Sequence, residues 1–248
     1  MRWSRLEQDV DIDYSDFYTD IKLYPKYSWI GPVRAKPRRI YESYNVKQNP
    51  EGEHIPAKLN SILANLTKKK SASIVNLINS FGKEANLFDS LDIKKYGKNK
   101  ASPFEVIVSY GDISNKLTNV GYGVSQSLPL IVEILSNDDC CVSIQQPEVH
   151  LHPRAQAALG SFICLTAVSL NNNYIIETHS DFLINRFRQM LSEQEDRKCN
   201  AQILFFKRNQ CKNDVFVIDI NDDGTTSEVP HACKEFFIDE ELRNLELL

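Results

Sequence analysis

The sequence predicts an α/β fold, a mostly parallel sheet flanked by helices, with a mixed helical N-terminal portion. Two observations predict it. Between residues 101 and 220, short apolar strands alternate with helical stripes across short turns, the pattern of a helix-covered parallel sheet. Glycine-bearing and polar segments follow these strands directly, at the strand ends where ligands of parallel sheets bind.

Residues 1–100 are polar, with tyrosine, proline and lysine spread through them. Trp29-Ile30-Gly31-Pro32-Val33-Arg34 reads as a strand ending in a turn, and helices are expected near Ile55–Lys70 and Ser71–Leu87. Lys94–Ala101 reads as an exposed loop. Phe104–Tyr110 alternates apolar and polar residues, which marks a strand. Leu128, Ile131, Val132 and Leu135 recur at helical spacing, and Cys140–Ile144 is a short buried strand. A second helical stripe runs from Ala155 to Ile163, with Pro153 at its first turn, where a missing N–H is harmless. Tyr174–Glu177 is the next strand. Ser180 caps a helix whose apolar positions are Leu183, Phe187 and Leu191. Strands Ile203–Phe206 and Val215–Ile220 follow, joined by a polar turn, and an amphipathic helix is expected near Ala232–Leu247.

Composition bounds the function. The 248 residues are 42% hydrophobic and 25% charged, an ordinary globular mixture. A net charge of −4 argues against a nucleic-acid footprint over the whole surface, leaving Arg34–Arg39 and Lys68–Lys70 as local basic patches. None of the six cysteines forms a CxxC pair, so reduced structural thiols are expected. No apolar run follows the N-terminal Met1-Arg2-Trp3, and none approaches ~18 residues anywhere, so neither a signal peptide nor a membrane span is expected. These features together point to the cytoplasm. Asp219-Ile220-Asn221-Asp222-Asp223-Gly224 is explained as a hairpin turn and not as a nuclease centre.

Three segments carry chemistry. Gly121-Tyr122-Gly123-Val124-Ser125-Gln126-Ser127-Leu128-Pro129 places glycines where a backbone can approach a ligand closely. It sets Ser125 at the mouth of a helix, where free N–H groups and the dipole favour phosphate, with Pro129 in the first turn. Read without the rest, it is a glycine turn with a serine cap. Val142-Ser143-Ile144-Gln145-Gln146-Pro147-Glu148-Val149-His150-Leu151-His152-Pro153 is an apolar strand, a polar pair and a proline-framed turn into a helix, the geometry of a Walker B segment. Such a strand ends in an acid that holds Mg²⁺ and another that polarises the attacking water. Gln145 and Gln146 occupy those places here, and a glutamine neither accepts a proton nor neutralises metal charge. His150 and His152 lack a third ligand in the sequence, so they are expected to shape the turn. In Ile176-Glu177-Thr178-His179-Ser180, a histidine at a strand end stands where it can reach a γ-phosphate.

In this order the three segments resemble the second half of ABC-type ATPases. More closely, they resemble AAA-family ATPases related to the overcoming-lysogenization-defect proteins, which carry a GxGxSQxLP signature, an acid-x-PExHLHP strand end and a THS switch. Trp29–Arg34 with Pro37-Arg38-Arg39-Ile40-Tyr41 is similar to a segment those proteins carry between two lobes. The likeness is densest over residues 119–190. It implies that residues 1–100 are a lobe-connecting and helical region and residues 101–248 the C-terminal lobe of an ABC-type ATPase. It further implies ATP and Mg²⁺ held in a composite site at a dimer interface. Gly123, Ser125 and Gln126 would meet the γ-phosphate, with Gln145 at the metal. Gln145 and Gln146 would lie near the attacking water, His179 would sense the γ-phosphate, and Glu148 would shape the inter-subunit loop.

Two departures stand out. Gln145 replaces the glutamate usual in that family, as a native residue or an engineered one. No GxxxxGK[ST] occurs in the 248 residues, so the phosphate cradle is expected on a P-loop-bearing N-terminal lobe or subunit of a homo- or hetero-oligomer, unless the gene is truncated or degenerate. The resemblance also implies a nuclease or other effector partner, contact with nucleic acid through it, and a role in bacterial anti-phage defence with hydrolysis impaired by Gln145. The alternative is a structural scaffold that no longer binds nucleotide.

Overall fold

The computed structural model describes residues 26–42, 47–65, 69–99, 101–194 and 199–227. The helix expected near Ala232–Leu247 lies outside them. In chain order the described residues form β1 (Tyr27–Ile30), α1 (Ile55–Leu63), α2 (Lys69–Glu84), β2 (Ser90–Lys95), β3 (Phe104–Tyr110) and β4 (Ile113–Lys116). They continue through a 3₁₀ turn into α3 (Tyr122–Leu135), β5 (Cys141–Gln145), α4 (Pro153–Leu170), β6 (Asn173–Glu177), α5 (Asp181–Ser192), β7 (Ala201–Asn209) and β8 (Lys212–Ile220).

The α/β architecture with a helix-flanked parallel sheet is present. That sheet has three strands in the order β1-β5-β6, both neighbours parallel to β5. Register sets Tyr27 beside Cys141 and Asn173, Trp29 beside Ser143 and Ile175, and Gln145 beside Glu177. Side chains alternate faces along a strand, so each of these rows shares one face. Ile30, Val142 and Ile144 point the other way, into a core with Leu130, Ile131 and Ile134 of α3 and Leu159 of α4. The first face carries Tyr27 63% exposed, Trp29 46% and Ile175 64%, so among the described residues it is bare. Parallel sheets are ordinarily covered on both faces.

The other five strands are antiparallel: a β2-β3-β4 sheet and a β7-β8 hairpin. The expected loop at Lys94–Ala101 begins two residues later, because Lys94 and Lys95 pair with Glu105 and Phe104. β2 and β4 are weak in sequence; they exist because β3, with Phe104, Val106 and Val108 buried, offers them an edge on each side. The turn after β8 closes by an Asn221 N–H to Thr225 carbonyl bond of 2.8 Å, as expected for Asp219–Gly224.

α4 begins at Pro153 and α5 is capped by Ser180, whose Oγ accepts the Leu183 N–H at 3.1 Å. α3 is buried on all sides from Val124 to Leu135, including its one acid, Glu133. That carboxylate accepts hydrogen bonds from Ser28 at 2.9 Å, Gln48 at 2.6 Å, Lys58 at 2.9 Å and Asn137 at 3.0 Å, and lies 3.0 Å from His54 Nε2. Burial alone would raise its pKa, but the His54 and Lys58 contacts outweigh that and hold it down at about 2. The network ties α3 to β1 and α1, beneath the sheet that carries the site.

Candidate functional site

The ends of β5 and β6 form the floor of the site. Gln145 closes β5 on the bare face. Its Oε1 accepts the indole N–H of Trp29 at 3.3 Å, and its Nε2 donates to Glu177 Oε2 at 3.2 Å. The backbone then turns sharply. Gln146 takes φ +43° and His150 φ +66°, the left-handed region that non-glycine residues rarely adopt. Three bonds hold this turn: Gln146 N–H to the Glu177 carbonyl at 2.8 Å, Val149 N–H to the Gln146 carbonyl at 3.3 Å, and Leu151 N–H to the Glu148 carbonyl at 2.9 Å.

Glu148 is a clamp. Its Oε2 accepts the Thr178 hydroxyl at 2.8 Å and its Oε1 the His179 N–H at 2.6 Å. The carboxylate thereby fixes the segment that leads from β6 to α5 and sets His179 at the exposed end of β6. Arg34 backs the turn from below. Only 2% exposed, it donates from Nη2 to the Gln146 carbonyl at 3.1 Å and the Gln145 carbonyl at 3.5 Å. Its Nε and Nη1 have no hydrogen-bond partner among the described residues. Burial lowers its pKa to about 10, and Glu148 partly offsets that. The expected basic patch at Arg34–Arg39 therefore begins beyond Arg34, which serves the interior.

The glycine-rich segment meets the same turn. The Tyr122 ring packs edge-on against the His150 ring at 4.8 Å between centroids. A Cβ on Gly123 would lie 3.1 Å from the His150 carbonyl oxygen, so glycine is what lets the helix start there. Two expectations are corrected. The helix begins at Tyr122 with Gly121 as N-cap, so Ser125 lies inside the first turn and Pro129 lies in the helix interior. Proline has no N–H to return to the carbonyl four residues back, which is that of Ser125. The Ser125 hydroxyl is turned inward, 5% exposed, and donates to the Tyr122 carbonyl at 2.9 Å. Gln126 is buried too, its Nε2 without a partner among the described residues. A cavity of about 410 Å³ reaches Ser125 and Pro129 from the side of Lys36, Arg38 and Glu53, but its lining includes neither glutamine nor His179.

The structure thus gathers Gln145, Gln146, Glu148 and His179 at the ends of two strands, brings Gly123 against their turn, and leaves Ser125 and Gln126 inside α3. The sequence assigns Glu177 no role and places Arg34 in a basic patch. Strand register reveals the first, and burial the second. Mg²⁺ takes hard oxygen ligands, commonly one or two carboxylates completed by substrate phosphates. The Gln145 carbonyl and the Glu177 carboxylate fit such a partial set. Among the described residues no three His, Cys, Asp or Glu side chains gather to hold a metal by themselves.

The chain belongs to the AAA ATPase domain family, which matches residues 29–184. No curated protein matches it. Similar solved structures include SMC ATPases described for ATP-driven dimerization and DNA-stimulated activation, at 11% identity and TM-score 0.43, covering 75% of this chain and 97% of that one. An Smc head bound to the C-terminal winged-helix domain of ScpA is 12% identical, TM-score 0.45, over 67% of this chain and 50% of that one. A Pyrococcus furiosus Smc head with an extended coiled coil, bound to the C-terminal domain of ScpA, is 11% identical, TM-score 0.43, over 69% of this chain and 38% of that one.

Proposed function

We propose that this member of the AAA ATPase domain family supplies one half of a composite ATP site and gates an effector through closure of that site. The carrying observation is the bare face of the parallel sheet. Its rows end in Gln145 and Glu177, and its apolar residues Tyr27, Trp29 and Ile175 stand exposed. Among the described residues, this parallel sheet is open on one face and on the outer edges of β1 and β6, and so lacks a layer there. The layer that fits is a P-loop-bearing lobe, on this polypeptide or another, because the 248 residues contain no GxxxxGK[ST].

In the closed state that lobe would cradle the phosphates. Mg²⁺, held by nucleotide oxygens with the Gln145 carbonyl and Glu177 at hand, would neutralise developing phosphate charge. His179 would face the γ-phosphate, its backbone fixed by Glu148. Ser125 would meet a nucleotide only after its hydroxyl turns away from Tyr122, which makes α3 the element that responds to closure. The effector is proposed to be a nuclease or other toxic protein of an anti-phage system.

Calorimetric titration of Mg-ATP tests the composite site. Residues 1–248 alone are expected to bind no nucleotide at micromolar affinity, while the complete assembly recovered from its native source binds it. Micromolar binding by residues 1–248 alone would refute the proposal. A second reading, a scaffold without nucleotide, is favoured by the inward Ser125 and the two glutamines. It predicts no ATP binding by the assembly and no gain in turnover from Gln145→Glu.

A further inference from the structure

We infer that the β7–β8 hairpin is a docking surface for a second copy of this chain, the two hairpins packing face to face with their strands running in opposite directions. Register and alternation put Leu204 beside Val217 and Phe206 beside Val215 on one face of the hairpin. All four are about half exposed or more, with Phe206 at 62%, whereas Ile218 on the other face is buried. The four are neighbours, so among the described residues they form one continuous apolar patch and not scattered single side chains. A patch of that kind marks an interaction surface.

The two ends of that face decide what covers it. Toward the hairpin turn the next row is Arg208 beside Asn213, and at the other end it is Gln202 beside Asp219. One end is therefore basic and the other acidic. Neither Arg208 nor Asp219 takes part in an ion pair among the described residues. Their rows are six residues apart along the strand, about 20 Å, so the two charges cannot pair within one molecule. A two-fold axis can stack two such faces with the strands running the same way or opposite ways. Running the same way, acid lies over acid and base over base. Running opposite ways, the acidic end of each hairpin lies over the basic end of the other, and the Leu204 row lies over the Phe206 row. The face is thus complementary to itself only in the opposed arrangement, which makes each charge contact twice. Nine residues per strand make the face about 30 Å long, and two strands make it about 10 Å wide. That is small for a permanent interface, so a reversible dimer that dissociates in the micromolar range is expected.

Sedimentation velocity of the 248-residue chain without nucleotide, from about 1 µM to about 100 µM, tests the inference. The mass is expected to rise from that of one chain toward that of two, and Phe206→Asp should stay monomeric throughout. Arg208→Asp and Asp219→Arg should each weaken the dimer about tenfold, because each sets like charges over one another at two places per dimer. An equal mixture of these two variants should recover the parent's affinity, since in the mixed dimer both contacts again join opposite charges. A parent that stays monomeric to about 100 µM overturns the inference, as does a dimer that survives Phe206→Asp, which would lie on another surface. Loss of the dimer in both charge variants with no recovery on mixing overturns the opposed arrangement. A monomeric parent that Phe206→Asp destabilises in urea shows that the face is covered from within the chain, and likewise overturns the inference.

Discussion

Replacing Glu133 by glutamine keeps the shape of the buried hub of α3 and removes its charge. The carboxylate is 3% exposed and its pKa is held at about 2 against an ordinary 4.5. A folded-state pKa below the unfolded one favours the folded protein when the acid is ionised. That contribution is complete above about pH 4.5 and is lost as pH falls through 2. At 1.36 kcal/mol per tenfold step, the drop from 4.5 to about 2 is worth about 3 kcal/mol at neutral pH. Titrating both states to pH 3 leaves about 1 kcal/mol of it, so roughly 2 kcal/mol disappears between pH 7 and pH 3. Other carboxylates also titrate in this window, so the informative quantity is a difference. Urea unfolding followed by circular dichroism should show the parent losing about 2 kcal/mol more than Glu133→Gln between those pH values. Equal losses in the two proteins would refute the reasoning and show that Lys58, His54 and the three neutral donors do not stabilise the charge.

Glu148→Gln should leave either the Thr178 hydroxyl or the His179 N–H facing an amide nitrogen. That costs about 2 kcal/mol in urea unfolding and speeds hydrogen exchange at the His179 amide; unchanged exchange would remove Glu148 as the clamp. Gly52→Ala should destabilise by about 2 kcal/mol, because Gly52 sits at φ +77° with Pro129 Cβ 2.8 Å from the new methyl. Gly111→Ala, at φ +49° with nothing within 4 Å, should cost about 1 kcal/mol or less in the same assay, and equal losses would mean that the Pro129 contact is slack. Arg34→Met, which leaves the Gln145 and Gln146 carbonyls without their buried donor, should cost about 1–3 kcal/mol in urea unfolding; unchanged stability would show that the guanidinium does not hold the turn.

The elements that frame the site were legible because each carries a local chemical signal. Pro153 starts α4 and Ser180 caps α5 where the sequence places them. The apolar run before Gln145 and the one before Glu177 are the two strands. The rest was not local. β4, Ile113-Ser114-Asn115-Lys116, has one apolar residue and is a strand only by pairing with β3. The start of α3 looked like a glycine turn because Gly123 reads as a loop residue. It is helical, and its lack of a Cβ answers to the His150 carbonyl, 27 residues away in sequence. Arg34 sits in a run of basic residues that reads as surface, and only the fold shows that it alone is buried among Lys36, Arg38 and Arg39. Glu177 carries no signal along β5, because it comes to Gln145 through register, a property of two strands.

The turn from Gln146 to Leu151 is where these pieces meet. Its start is held by Arg34 and by the β6 carbonyl of Glu177, its middle by the Glu148 contacts to Thr178 and His179, and its end by Tyr122 and Gly123 of α3. Two residues in the left-handed region make it a conformation kept only while those contacts persist. A change at the strand ends that repositions Glu177 or His179 therefore acts on the turn through the Gln146 bond and the Glu148 clamp, and on the first turn of α3 through His150. Ser125 lies two residues beyond Gly123 in that first turn. On the proposed function, in which the Ser125 hydroxyl turns outward, the turn from Gln146 to Leu151 is the contact that joins the strand ends to the start of α3.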